Sequence, residues 1–122
     1  ESCGMSAVCS FQNVVESHGS VYPCDFYVLD EWKLGNLNVN SFPELEEKRK
    51  ELGFVEESRQ THPDCRKCRW LSICRGGCKP YRGPRLDTGE LRKNCFCRSY
   101  EMFFAHAGGR MQKIARALLY RR

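Results

Sequence analysis

Apolar and polar residues in the first thirty positions are arranged as in a β-hairpin that follows a cysteine-bearing loop. Two largely apolar runs, at residues 11–15 and 21–29, flank the turn-forming residues 16–20. Within that turn, Gly19 supplies a residue that readily takes positive φ. Because Pro23 has no N–H for strand pairing, the second strand is expected at a sheet edge or interrupted there.

A short helix is predicted after a loop at residues 30–40, which is expected to contain a second tight turn near residues 34–37. Ser41 and Glu44 have the spacing of a capping box, and Pro43 lies in the first turn. The helix is predicted to run to about Leu52 and to stop at Gly53. Its charged residues are expected to form a solvated face with i,i+4 pairs.

Apolar residues at helical spacing return near the carboxyl end. The repeat predicts a helix over residues 97–107, and Gly108-Gly109 is expected to break it. A second amphipathic stretch follows, with basic residues opposite its apolar stripe. That stripe is interpreted either as a contact with a neighbouring domain or as a cover for this domain's own core.

Length and composition limit the possible functions. The 122 residues suffice for one domain with a modest core, so residues 1–122 are interpreted as a single domain. No apolar run approaches the ~20 residues that span a bilayer, and the amino end lacks a signal peptide. A cytoplasmic chain without a membrane partner is therefore predicted. Since the chain starts at Glu1 and not at methionine, we expect a fragment of a longer protein.

Nine cysteines dominate the candidate chemistry, and eight of them form one series. Cys65-x2-Cys68-x5-Cys74-x3-Cys78 is the densest part, and the other members are Cys3, Cys9, Cys24 and Cys95. Converging thiolates repel one another unless a metal or a disulfide removes the charge. An odd count in a chain without a signal peptide favours metal over disulfides.

The cysteine spacing favours iron-sulfur clusters over zinc. Zinc sites usually take two closely spaced cysteine pairs, whereas only Cys65 and Cys68 have that spacing here. The wider gaps suit a larger object such as a 4Fe-4S cluster, and Gly76-Gly77 allows the backbone to approach it. Trp70 and Ile73 are interpreted as a dry cover. Two clusters would lower the net charge from +5 to about +1 and so weaken a nucleic-acid interpretation.

The whole series resembles the seven-cysteine signature of the SPASM domain, the carboxyl-terminal extension of many radical S-adenosylmethionine enzymes. The resembling pattern is Cys9-x9-Gly19-x4-Cys24, then residues 65–78, then Cys95. The additional Cys3, the stretch around Tyr22-Pro23-Cys24-Asp25-Phe26 and Cys74-Arg75-Gly76-Gly77-Cys78 resemble the anaerobic sulfatase-maturating enzymes in particular.

The resemblance implies a small α+β fold stapled by two 4Fe-4S clusters, with a β-hairpin, cysteine-rich loops and two or three short helices. It places one cluster on Cys3, Cys9, Cys24 and Cys78 and the second on Cys65, Cys68, Cys74 and Cys95. Cys97 lies outside the pattern and is interpreted as a structural thiol that could exchange with Cys95 as a ligand.

The resemblance also implies a role in oxidising a peptidyl cysteine or serine to formylglycine. Asp25 corresponds to the base proposed for the family; the alternative is that it caps a turn or pairs with an arginine. Four thiolates on each cluster leave no open iron, so electron transfer is expected. S-adenosylmethionine would bind only to the missing core domain, because no Cys-x3-Cys-x2-Cys loop occurs here. The expected partners are that core domain and a peptide substrate.

Two other interpretations stay open. A zinc-binding interaction module would use the cysteines structurally and contact nucleic acid through basic residues, namely Arg66, Lys67, Arg69, Arg75, Lys79, Arg82 and Arg85. Basic residues near thiolates also arise as charge compensation, so no nucleic-acid partner is expected. The other interpretation keeps the SPASM fold and assigns it to a different peptide-modifying radical enzyme.

Overall fold

A computed structural model describes residues 3–83, 87–89 and 91–120. A small antiparallel sheet is formed by β1 (Val14–Val15), β2 (Ser20–Tyr22) and β3 (Gly35–Asn36), in the order β1-β2-β3. Val15 pairs with Val21 in the first ladder, and Val21 pairs with Gly35 in the second. The central strand β2 is buried along its whole length.

The predicted hairpin is confirmed at its turn, and its strands are shorter than predicted. Gly19 has φ +89°, and its N–H donates to the Glu16 carbonyl at 2.8 Å. β2 ends before Pro23, as expected of a residue without an N–H. Beyond it the chain forms two 3₁₀ turns, Asp25–Tyr27 and Asp30–Trp32, so the prediction of a strand to residue 29 is wrong.

The third strand was not predicted, because the loop assigned to residues 30–40 contains it. The Leu34 N–H donates to the Val21 carbonyl at 2.8 Å, and these backbone contacts fix β3 beside β2. A β-carbon on Gly35 would lie 2.6 Å from Asn40 Oδ1 and 2.7 Å from Leu45 Cδ2. Only glycine therefore fits where the strand passes the first helix after it.

The helix α2 (Phe42–Glu51) follows its predicted bounds closely. Both hydrogen bonds of the Ser41–Glu44 capping box form, and Gly53 follows the helix with φ +64°. Leu45 packs with Val21 and Leu34 in the apolar core, and Leu52 adds to it. The charged side chains pair at i,i+3 and not at i,i+4.

One charged residue of α2 departs from the solvated face that was expected. Arg49 is 1% exposed, its Nε lies 3.3 Å from Glu46 Oε1, and its guanidinium lies 5.7 Å from the Phe11 ring centroid. The arginine buries its charge because these groups surround it.

Apart from α2 and the carboxyl-terminal helix, the helices are short. They are α1 (Cys3–Ser6), α3 (Phe54–Ser58), α4 (Pro63–Arg66) and α5 (Leu71–Cys74), with a further 3₁₀ turn at Lys79–Arg82. The α+β class is thus confirmed, with more helical segments than the two or three predicted.

A single helix, α6 (Cys97–Leu119), replaces the two stretches that were predicted at the carboxyl end. The expected break at Gly108-Gly109 is wrong. A β-carbon on Gly108 would lie 3.5 Å from the Trp70 ring, so the helix passes the indole closely at this point. In the described residues no helix combines the length and apolar character needed to cross a membrane.

Gly109 tests the continuity of α6, and Gly53, which lies outside that helix, serves as the comparison. Nothing lies within 4 Å of a β-carbon on either Gly109 or Gly53. We expect Gly109→Ala to stabilise the domain by about 1 kcal/mol, because alanine favours a helix interior over glycine. We expect Gly53→Ala to destabilise it by roughly 1–2 kcal/mol, because Gly53 is left-handed. Thermal unfolding followed by circular dichroism measures both. Destabilisation by Gly109→Ala would contradict a continuous helix.

Candidate iron-sulfur sites

We call the first predicted set of four cysteines, which come from distant parts of the chain, site I: Cys3, Cys9, Cys24 and Cys78. Cys3 begins α1, and the next residue, Gly4, is so close to Cys78 that a β-carbon on it would lie 3.9 Å from the Cys78 Cβ. The Cys9 N–H donates to Ser58 Oγ at 2.9 Å, which ties its loop to α3. Cys24 follows the end of β2.

The thiols of site I influence one another electrostatically. Burial raises the pKa of Cys9 and of Cys78, and the negative charge of Cys3 raises both further. Burial raises the pKa of Cys24 to about 11, with Asp25 and Cys9 adding to the rise. These thiols are therefore protonated at neutral pH until a cation replaces their protons.

A second group, site II, lines a cavity of about 550 Å³ between α4, α5 and the start of α6. Its thiols belong to Cys65, Cys68, Cys74 and Cys97. Burial raises the pKa of Cys65, and the charges of Cys97, Cys74 and Cys68 add to the rise. The Trp70 N–H points at Cys68 Sγ at 3.4 Å, the kind of amide contact that stabilises a ligating sulfur.

The structure brings Cys97, and not Cys95, to the three other thiols of site II. Cys95 is exposed and does not line the cavity formed by the described residues. Its N–H donates to the Tyr81 carbonyl at 2.9 Å, whereas Cys97 lies at the first turn of α6, which faces the cavity. Only one residue separates Cys95 from Cys97, so the sequence alone did not indicate which of the two belongs to site II.

Aromatic side chains cover site II. Trp70, Tyr100 and Phe104 all line the cavity, and the Trp70 and Phe104 ring centroids are 5.8 Å apart. Trp70 therefore lies where a dry cover was predicted. Ile73 is half-buried and is absent from the described lining of the cavity.

Asn94 is a site residue that sequence analysis missed. It is buried, its Nδ2 donates to the Gly76 carbonyl at 3.0 Å, and its Oδ1 accepts from the Phe96 N–H at 2.8 Å. A β-carbon on Gly77 would lie 2.5 Å from Asn94 Nδ2. The asparagine thus holds the start of α6 against the loop that joins Cys74 to Cys78.

Two basic residues predicted near the cysteines are buried. Lys79 is 2% exposed; its Nζ lies 3.1 Å from Glu57 Oε2 and 3.9 Å from the Phe54 ring centroid. Arg82 is 4% exposed. Neither can face a phosphate backbone, whereas Arg66, Lys67, Arg69 and Arg75 are exposed. Arg85 lies outside the described residues.

Asp25 lies beside site I and is open to solvent. It begins the 3₁₀ turn Asp25–Tyr27, and its Oδ1 accepts a hydrogen bond from Cys24 Sγ at 3.2 Å. The next ring, Phe26, is 56% exposed and lies edge-on to Tyr81 at 6.3 Å. A carboxylate next to a thiol and accessible from outside has the position that a general base for a bound substrate needs.

The donor set of both sites fits an iron-sulfur cluster. Each site offers four partly buried thiols, the ligands that such clusters take. Within the described residues, no three His, Cys, Asp or Glu side chains lie in an arrangement that could hold a single metal ion. A buried cation beside the thiols, Arg82, suits an anionic group.

Residues 3–69 match the family model of the SPASM iron-sulfur cluster-binding domain. The match covers more than half of the chain, and the chain belongs to this family of iron-sulfur domains.

Relatives of the chain are anaerobic sulfatase-maturating enzymes. A cysteine-type enzyme of Clostridium perfringens strain 13 is 46% identical over 93% of this chain and 30% of its own length. The cysteine-type enzyme of Clostridium novyi is 39% identical over 99% of this chain and 32% of its own. A serine-type enzyme of Bacteroides thetaiotaomicron is 31% identical over 96% and 28%. The chain thus spans about a third of the length of these relatives.

Solved structures of the same kind share the fold. Native anSMEcpe with bound AdoMet and the Cp18Cys peptide is 45% identical and superimposes with a TM-score of 0.87, over 97% of this chain and 32% of the other. Native anSMEcpe with bound AdoMet alone gives a TM-score of 0.86 at 46% identity.

The raised pKa of Cys24 predicts how the metal-free protein reacts with an alkylating agent. At pH 8 we expect Cys24 to react slowly, with a midpoint near the pKa of about 11, because burial and Asp25 both disfavour its thiolate. Asp25→Asn should lower the midpoint towards the ordinary 9.0 without reaching it, since burial persists. Mass spectrometry after timed alkylation across a pH series measures both. A midpoint at or below 9.0 in the parent protein would contradict this.

Proposed function

We propose that this domain binds two 4Fe-4S clusters and serves as the auxiliary electron-transfer and substrate-presenting part of a radical S-adenosylmethionine enzyme that makes formylglycine. Site I would hold one cluster through Cys3, Cys9, Cys24 and Cys78. Site II would hold the other through Cys65, Cys68, Cys74 and Cys97. The observation that supports the proposal is the cavity lined by four thiols at site II, together with the mutual electrostatic influence of the thiols at site I.

The fourth ligand of site II is proposed to be Cys97 in place of the Cys95 that the family resemblance implied. Cys97 shares the cavity with the other three thiols, and its charge is the largest electrostatic contribution to the raised pKa of Cys65 after burial. Cys95 is left exposed beside it.

When bound, the clusters would supply one-electron acceptance, because four thiolates on each leave no open iron for a substrate. The chain's own residues would define the surroundings of each cluster and the connection between them. Trp70 and Phe104 limit water at site II, and the Cys74–Cys78 loop connects the two sites directly, since one of its ends belongs to each. Asp25 would take the proton of the substrate thiol or hydroxyl beside site I.

The substrate is proposed to be a peptidyl cysteine. The relatives at 39–46% identity are cysteine-type enzymes, whereas the serine-type enzyme named above is 31% identical. A core domain in the same protein would bind S-adenosylmethionine and generate the radical that begins the reaction. The cytoplasm is the proposed location, because its reducing conditions keep unligated cysteines as thiols.

Metal content tests the two-cluster proposal and the assignment of Cys97. After anaerobic reconstitution, this domain should contribute about eight irons and eight sulfides. Cys97→Ser should remove roughly half of both, because site II loses a ligand, while Cys95→Ser should leave both unchanged. Iron, acid-labile sulfide and zinc are assayed per chain. Zinc without acid-labile sulfide in the parent protein would reject the two-cluster proposal. Loss of iron from Cys95→Ser but not from Cys97→Ser would reject the assignment of Cys97 as a ligand.

Asp25→Asn tests the base. In the protein as encoded, we expect formylglycine formation on a cysteine peptide to fall by roughly 10²–10⁴-fold, the usual contribution of a general base, with iron content unchanged. Asp30→Asn is the matched control, because Asp30 is also exposed and also begins a 3₁₀ turn. Mass spectrometry of the peptide measures turnover. Full activity of the Asp25 variant would reject the role.

A further inference from the structure

Arg82 is a buried cation with neutral hydrogen-bond partners. Its Nη2 donates to the Ala7 carbonyl at 2.7 Å and to the Ser58 carbonyl at 3.0 Å, and its Nη1 donates to the Gln60 carbonyl at 2.9 Å. Lys79 differs, because Glu57 neutralises it at 3.1 Å. Within the described residues, the hydrogen-bond acceptors of Arg82 are these three carbonyls and no carboxylate forms an ion pair with it.

The position of Arg82 relates it to both sites. Ala7 and Ser58, which accept its hydrogen bonds, flank the Cys9 loop; the Ser58 hydroxyl accepts the Cys9 N–H. On its other side Arg82 packs on the Cys74–Cys78 loop: a β-carbon on Gly76 would lie 3.8 Å from its Cδ. Burial lowers the pKa of Arg82, and the charges of Cys9, Cys78, Tyr27 and Cys65 oppose that shift. Thiols of both sites therefore act on one guanidinium.

One N–H donor of Arg82 also lacks a hydrogen-bond partner among the described residues. Its Nε is fully buried and has no hydrogen-bond partner within the described residues. Buried N–H groups are normally paired, so such a donor is suited to an acceptor that the protein itself does not provide. Cluster sulfides and ligating thiolates are acceptors of this kind.

On the basis of the proposed two-cluster function, we propose that Arg82 is a positioning residue for electron transfer, the shared counter-charge that raises the reduction potentials of both clusters. A cluster on four thiolates gains a negative charge on reduction, and a nearby buried cation stabilises the reduced form more than the oxidised form. Arg82 would thereby favour the arrival of an electron from the substrate at site I.

Redox titration of the reconstituted, full-length protein, followed by EPR, tests this. Arg82→Gln removes the charge and keeps a donor. Arg82→Lys keeps the charge and loses the fork of donors. Arg59→Gln removes an exposed cation, paired with Glu56 at 3.1 Å, from the residue after Ser58. Cys24→Ala and Cys65→Ala identify the signals of site I and site II, and iron content is measured for every variant.

We expect Arg82→Gln to lower the ratio of reduced to oxidised cluster at site I about tenfold at a fixed potential, which is about 59 mV for one electron. Site II should move in the same direction by less, because the Arg82 hydrogen bonds go to Ala7 and Ser58 beside the Cys9 loop of site I. Arg82→Lys should stay within about threefold of the parent protein, and Arg59→Gln should match it.

The outcomes separate this proposal from the two-cluster function. Full iron in Arg82→Gln with unchanged potentials would overturn the counter-charge role and leave the clusters in place. If Arg82→Gln loses iron, recovery of iron in Arg82→Lys would support the charge, whereas loss in both variants would assign Arg82 to the fold and overturn the proposal. A parent protein without iron would reject the two-cluster function itself.

Discussion

Mutual repulsion of thiolates is the constraint on which the rest of this structure depends. Two groups of four sulfur donors lie in a domain whose apolar core is small, with Val21, Leu34 and Leu45 at its centre. Burying such donors beside one another without a cation is unfavourable: burial is the main cause of the raised pKa values of Cys9, Cys24, Cys65 and Cys78, and the charges of neighbouring thiols add to it. A bound cation would offset that cost at either site.

The two buried cations near the sites, Lys79 and Arg82, have different surroundings. Lys79 is surrounded by Phe54, Trp32 and Tyr27, with its Nζ 3.9, 4.1 and 4.9 Å from the ring centroids, and its charge is balanced by Glu57. This neutral unit packs the protein beside site I. Arg82 retains its charge and joins the Cys9 loop to the loop between the sites. Buried basic residues that look alike in sequence therefore differ in electrostatic role.

Features encoded by neighbouring residues could be predicted from sequence, and features decided by distant contacts could not. The capping box of α2 and the positive φ of Gly19 depend on a few adjacent positions, and both form as expected. β3 depends on backbone pairing with β2, and α6 passes close to Trp70 at the glycine pair where a break was expected. The cysteine spacing indicated eight donors in two sets; the position of Cys97 required the direction in which α6 leaves Asn94.

The two sites close chain segments of very different length. Site II draws its thiols from one continuous stretch between α4 and the first turn of α6, whereas site I joins Cys3 in α1 to Cys78, more than half the chain away, and also includes Cys24 after the end of β2. Longer loops lose more entropy on closure, and distant contacts form more slowly. The entropy lost when the four thiols come together is therefore larger for site I than for site II.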